Sequence, residues 1–193
     1  LVITLSLLAA ACRNAPAPPP VAQLVERTRQ TMGADLRLSA WTTSEATAVS
    51  AFDQVFAEFE RLEGLMSVWR PTSDVQRLNE AAGVAPVAVS HDTIDVLQAA
   101  REAGDLTDGK FDVTFGALSD LWRFDHDQDN RIPDPDAVRA RLPLVNYRAV
   151  SVDARAGTAF VEKRGMRVHL GGIGKGYAVD RAVAILRSRG LAD

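Results

Sequence analysis

Between Thr42 and Gly64, the residues Ala48, Ala51, Phe52, Val55, Phe56, Phe59 and Leu62 recur at intervals of three and four. That stripe is the apolar face of an amphipathic helix, and a face carrying three phenylalanines has to be covered by other elements of the fold. Thr42 followed by Glu45 reads as a capping box at its start. Immediately before it, Leu36, Leu38 and Ala40 alternate within residues 35–41, as in a strand buried on one side. Ser90 caps a second expected helix carrying Ile94, Leu97 and Ala100 and ending near Gly104, ahead of a turn at Asp108 and Gly109. Strands are expected at 148–153, 158–162 and 166–170, and Asp180, Val183 and Leu186 continue a last helix. Strands interleaved with amphipathic helices, without strict alternation, predict an α+β fold. A chain of 193 residues, 47% of them hydrophobic, can bury the core of one domain, and no internal repeat divides it.

The formal net charge of −3, with no run of Lys or Arg, leaves no electrostatic footprint for nucleic acid. Residues 1–12, LVITLSLLAAAC, are too short to span a bilayer but suit the apolar core of a signal peptide. The stretch begins without Met or a basic segment, so the sequence is expected to be clipped at its start. Cys12, the only cysteine, has no partner for an intramolecular disulfide, and its place after small residues resembles the lipobox of bacterial lipoproteins. Ala9 stands where Leu is usual, with Leu8 one place earlier. The resemblance implies cleavage before Cys12, lipidation of its thiol, and a domain tethered to a membrane at the periplasmic face of a bacterial envelope. Residues 13–23 are rich in proline and predict an extended spacer, which leaves 24–193 for the folded domain.

Residues 169–180, HLGGIGKGYAVD, place four glycines and Lys175 between the alternation of Met166, Val168 and Leu170 and a helical pattern. Gly176 follows the lysine where a P-loop needs Ser or Thr, and Tyr177 occupies the position of the third glycine of a dinucleotide fingerprint. What remains is either a tight strand-to-helix turn or a glycine turn whose helix N–H groups and lysine attract an anion. In TDGKFDVTFG, residues 107–116, Asp112 lies among Phe111, Val113 and Phe115, so its carboxylate needs a hydrogen bond at a helix end or a ligand. MSVWRPTSDVQRLN, residues 66–79, combines Trp69, Arg70 and a proline turn, either as packing or as an aromatic wall with a polar rim. DHDQDNRIPDPD, residues 125–136, spaces Asp125, Asp127 and Asp129 as calcium ligands would be, but Pro133 and Pro135 interrupt it, and a solvated acidic loop is the expectation. His91, His126 and His169 are too scattered to predict a zinc set, and no Gly-x-Ser-x-Gly elbow offers a nucleophile.

Four stretches in this order, TMG at 31–33, MSVWRPTSDVQRLN, GKFDVTFGALSDLWRF and LGGIGKGYAVDRA, resemble the N-terminal half of the FAD:protein FMN transferases, the ApbE-type flavin transferases. The resemblance covers roughly residues 24–193. It implies an ApbE-like (T-fold-like) α+β domain truncated at its C-terminus. It further implies that Met32, Trp69, Lys110, Phe111, Asp112, His169 and Lys175 contact FAD, and that the main-chain carbonyl of Gly172 helps hold magnesium. Trp69 stands where Tyr is common, Lys110 where a small residue is frequent, and His169 where Asp is usual. The implied reaction is magnesium-dependent transfer of FMN from FAD to a Thr or Ser hydroxyl of an acceptor protein of the respiratory redox type, releasing AMP. Hydrolysis of FAD, or FAD binding without catalysis, are the alternatives. The remaining metal ligands and the catalytic residues are expected in the C-terminal half, beyond Asp193.

Overall fold

The computed structural model describes residues 21–122 and 130–191. The leader, residues 13–20 of the spacer and residues 125–129 of the acidic loop, among them Asp125, His126, Asp127 and Asp129, lie outside the described residues.

Strands β1 (Gln23–Thr31) and β2 (Ala34–Thr42) form an antiparallel hairpin paired along their whole length, from Gln23 opposite Thr42 to Thr31 opposite Ala34. Its loop is Met32 and Gly33 alone, both at positive φ (49° and 70°), the backbone that two-residue hairpins require. Val25, Leu38 and Ala40 turn one face of the ribbon inward. Arg27 and Arg29 alternate with Val25 on the same face, reaching Glu45 and Asp53 of the following helix at 3.4 and 2.8 Å. The Arg29 guanidinium also lies 4.5 Å from the centre of the Phe56 ring.

Helix α1 (Glu45–Met66) buries every residue of the expected stripe, and Met66 with it. Its cap differs from the capping box expected at Thr42. Ser44 is the N-cap and accepts from Thr47 N–H, while the Thr42 hydroxyl accepts from Ser44 N–H one step earlier. The ribbon covers one side of α1, and the short helix α2 (Asp74–Glu80), α3 (His91–Leu106) and the last helix cover the rest. A second sheet pairs β3 (Val87–Ala88), β5 (Thr158–Val161) and β4 (Val150–Asp153) in the order β3-β5-β4, all antiparallel. A 3₁₀ turn over Tyr147–Ala149 replaces the first residues of the strand expected from 148. Helix α4 (Pro135–Arg141) occupies the end of the acidic segment, where Asp136 is paired with Arg139. Helix α5 (Gly174–Ser188) closes the described chain, burying Gly174, Ala178 and Ala182 against α1. Antiparallel ribbons and helices in this irregular order are the α+β arrangement the pattern predicts.

Residues 166–170 are a correction to the expected strand. Met166, Val168 and Leu170 are fully buried on alternate positions, yet the segment joins no ladder beyond an isolated bridge between Arg167 and Phe115. A side chain serves as its partner. Asn79 of α2 accepts from Val168 N–H at 2.6 Å and donates to Val168 C=O at 2.9 Å, and His169 N–H donates to Val113 C=O at 2.7 Å. The backbone is satisfied as it would be in a sheet, without a neighbouring strand.

Candidate active site cleft

The extended segment delivers the chain to the glycine turn. His169 is the cap of a 3₁₀ turn over Leu170–Gly172, its Nδ1 accepting from Gly171 N–H at 3.1 Å. Burial, and then the charge of Arg167, push its imidazole below the usual histidine range, which keeps Nδ1 an acceptor at neutral pH. The Phe115 ring lies 5.1 Å away and covers part of the imidazole. A Cβ on Gly171 would come within 2.7 Å of the His169 ring, so a side chain there would push the imidazole out of its capping position. Helix α5 then begins at Gly174 with no side chain capping its N-terminus. Its first N–H groups and Lys175 concentrate positive potential at one point.

That point opens on a cleft of about 260 Å³ lined by residues from three separate parts of the chain. Met32 and Gly33 come from the hairpin loop, Glu63 and Met66 to Trp69 from the end of α1 and beyond, and His169, Leu170, Gly171, Gly174 and Lys175 from the glycine turn. Trp69 is 79% exposed, so it is an open wall and not packing. Its loop is closed by the buried Ser73, whose hydroxyl donates to Ser67 C=O at 2.7 Å and accepts from Gln76 N–H at the start of α2.

Of the residues singled out in sequence, Met32, Trp69, His169 and Lys175 line this cleft together. Gly172 and Phe111 are neighbours just behind it, since a Cβ on Gly172 would meet the Phe111 ring at 3.2 Å. Lys110 is exposed in the turn after α3 and does not line the cleft. Asp112 is engaged within the fold. Its Oδ1 accepts from Thr114 N–H and hydroxyl at 2.7 and 2.5 Å, and its Oδ2 from Tyr147 N–H at 2.9 Å. Of the two ways to satisfy it, the structure shows the hydrogen bond at a turn start. Glu63 and Asn79 were not singled out. An isolated Glu on a helix and an Asn at the end of one carry no sequence signal, because their roles depend on contacts 31 and 89 residues away.

Among the described residues no group of three His, Cys, Asp or Glu side chains is placed to hold a metal ion. No described helix is long and apolar enough to cross a membrane.

The cleft has an apolar aromatic wall and an uncapped helix start with a lysine, a lining whose chemistry suits a flat ring system carrying an anion. The ApbE family model matches residues 32–193, and the chain belongs to the ApbE family. A protein of Klebsiella pneumoniae named FAD:protein FMN transferase is 35% identical over 158 residues, covering 82% of this chain and 48% of that protein. One of the same name from Salmonella typhimurium is 30% identical, covering 90% of this chain and 50% of its own length. The crystal structure of the ApbE protein of Thermotoga maritima superposes with a TM-score of 0.78 at 29% identity, covering 86% of this chain and 53% of that one. The flavin transferase ApbE of Vibrio cholerae gives a TM-score of 0.79 at 26% identity, covering 88% of this chain and 55% of that one. The chain thus spans about half the length of the curated relatives it matches.

Proposed function

We propose that the protein is a flavin transferase that moves FMN from FAD to a Thr or Ser hydroxyl of an acceptor protein, of the respiratory redox type, and releases AMP. The observation that carries this reading is the convergence of Met32, Trp69, His169 and Lys175 on one cleft at the start of α5. The apolar wall of Trp69, Met66 and Leu170 excludes water from a ring laid against it. Lys175 and the free N–H groups of α5 hold the diphosphate, while the His169 cap keeps the glycine turn in the shape that lets it approach. In the transfer, the acceptor oxygen forms a bond to the FMN phosphorus, the bond from that phosphorus to the bridging oxygen of AMP breaks, and the hydroxyl proton is released. Positioning of these groups supplies much of the rate in phosphoryl chemistry.

Magnesium dependence belongs to the same proposal, with the Gly172 carbonyl as one ligand. One carbonyl is not a metal site, and the described residues hold no cluster to complete it. The other donors would come from outside the described residues. Residues 1–12 as a lipoprotein leader, Cys12 as the lipidated residue, residues 13–23 as a spacer and the periplasmic face as the location rest on sequence alone. Lys110, Phe111 and Asp112 are proposed to support the FAD site from behind Gly172, with Lys110 acting through its backbone. A second reading, FAD binding or hydrolysis without protein flavinylation, is favoured by one observation: His169 is engaged in capping and brings no carboxylate to the cleft.

The test is to incubate the full-length protein with FAD, with and without magnesium, beside a threonine-bearing acceptor. Covalent FMN on the acceptor with stoichiometric AMP supports transfer. AMP and free FMN without a labelled acceptor support hydrolysis, and neither product with FAD still bound supports the binding reading.

A further inference from the structure

Glu63 sits at the junction of two walls of the cleft. Its Oε2 accepts from Met32 N–H at 3.0 Å and lies 3.4 Å from the Thr31 hydroxyl, which fixes the hairpin loop with Met32 in its positive-φ conformation. The same oxygen is 3.7 Å from the Arg70 guanidinium, whose other arm holds Glu60 at 2.7 Å and so ties the Trp69 loop to α1. All of these contacts fall on Oε2. No hydrogen bond from a described residue falls on Oε1, which is open to water on a side chain that lines the cleft and is 23% exposed. An acceptor anchored through its twin oxygen, in a cleft whose other lining is mostly apolar, is placed to read a donor.

We infer that Glu63 is a specificity-determining residue of this site, whose Oε1 accepts a hydrogen bond from a ring N–H or amino group of the bound nucleotide. The inference rests on the flavin reading, since FAD offers such donors at both ends: the imide N–H of the flavin and the amino group of the adenine. A carboxylate beside the diphosphate would be repelled, so the donor that Glu63 reads is assigned to a ring and not to the diphosphate. The hairpin loop and the Trp69 loop are both tied to this one carboxylate, so the acceptor and the aromatic wall keep their spacing. A ligand without a donor at that edge would leave Oε1 desolvated and unpaired.

The test uses the full-length protein and its Glu63→Gln and Glu63→Ala variants, titrated with FAD, FMN and ADP, with thermal melting of each. Glu63→Gln keeps an oxygen for Met32 N–H and turns the other position into a donor, so its melting stays at the wild-type value. Its affinity for FAD is expected to fall about tenfold, and the same loss to appear with only one of FMN and ADP. Glu63→Ala is expected to lose that affinity and to melt lower, because the hairpin loop is released. Wild-type affinity in Glu63→Gln, within about twofold for all three ligands, would overturn the inference, as would an equal loss for FMN and ADP. If the wild-type protein binds none of the three, the flavin reading itself fails.

Discussion

Removing the amide of Asn79 tests how the glycine turn is held. Both of its hydrogen bonds go to Val168, whose residue is completely buried, so neither the N–H nor the C=O can turn to water when the partner is lost. Leaving a buried polar group unpaired costs roughly 1–3 kcal/mol, and partial relaxation of two such groups sets the loss in Asn79→Ala at about 2–4 kcal/mol. For a chain of this size each kcal/mol lowers the melting temperature by about 2–4 °C, which gives a drop of roughly 5–15 °C. Asn79→Asp should not rescue it, since a carboxylate cannot donate to Val168 C=O and sets a charge against it. Urea and thermal unfolding followed by circular dichroism measure the change. A loss in Asn79→Ala below about 0.5 kcal/mol would refute the claim that one side chain replaces a strand partner here.

Two further outcomes follow from ionisation. Burial pushes the Asp74 carboxyl up, but hydrogen bonds from Ser90 N–H, the Thr93 hydroxyl and Arg77 outweigh it and hold it below its ordinary value. A lowered carboxyl stabilises the fold above its unfolded value of about 3.9, and this is lost as pH falls through the folded value. Acid unfolding should therefore steepen below about pH 4 in the wild type and flatten in Asp74→Asn, as followed by tryptophan fluorescence. His169 is also lowered, so its cap on Gly171 is present at neutral pH and is lost as the imidazole takes a proton below about pH 6.5. The protection factor of Gly171 N–H, its exchange corrected for the intrinsic slowing as pH falls, should drop over that range in the wild type, whereas His169→Asp, an acceptor throughout, should show no such step; equal steps in both would refute the cap.

The elements whose pattern is set by their own residues were legible in sequence. The stripe of α1 announces its helix because the face toward the core is uniformly apolar, and Ser90 announces α3 because its hydroxyl caps locally, accepting from Thr93 N–H. Strand β1 was not legible, because Arg27 and Arg29 occupy its inner face and are made compatible only by Glu45, Asp53 and Phe56 on α1. Its hairpin loop, Met-Gly, lacks the Asn-Gly or Asp-Gly signal that such turns favour. Alternation at 166–170 correctly gave the buried face and wrongly implied a ladder, since it reports burial and not what satisfies the backbone. In the site, the glycine turn and Lys175 were visible by composition, Trp69 as either packing or an aromatic wall, and resemblance added Met32 and a flavin role for His169. Glu63 was invisible because its meaning lies in the hairpin loop folded back onto α1.

The central claim is that the start of α5 and the Trp69 wall form one ligand site, and titration of FAD into the full-length protein by flavin fluorescence tests it most directly. Binding should be saturable and should weaken by about tenfold, ~1.4 kcal/mol, in Lys175→Ala and again in Trp69→Ala, with both variants melting as the wild type does. A well-folded wild type that leaves FAD fluorescence unchanged, or two variants that bind as tightly as it does, would contradict it.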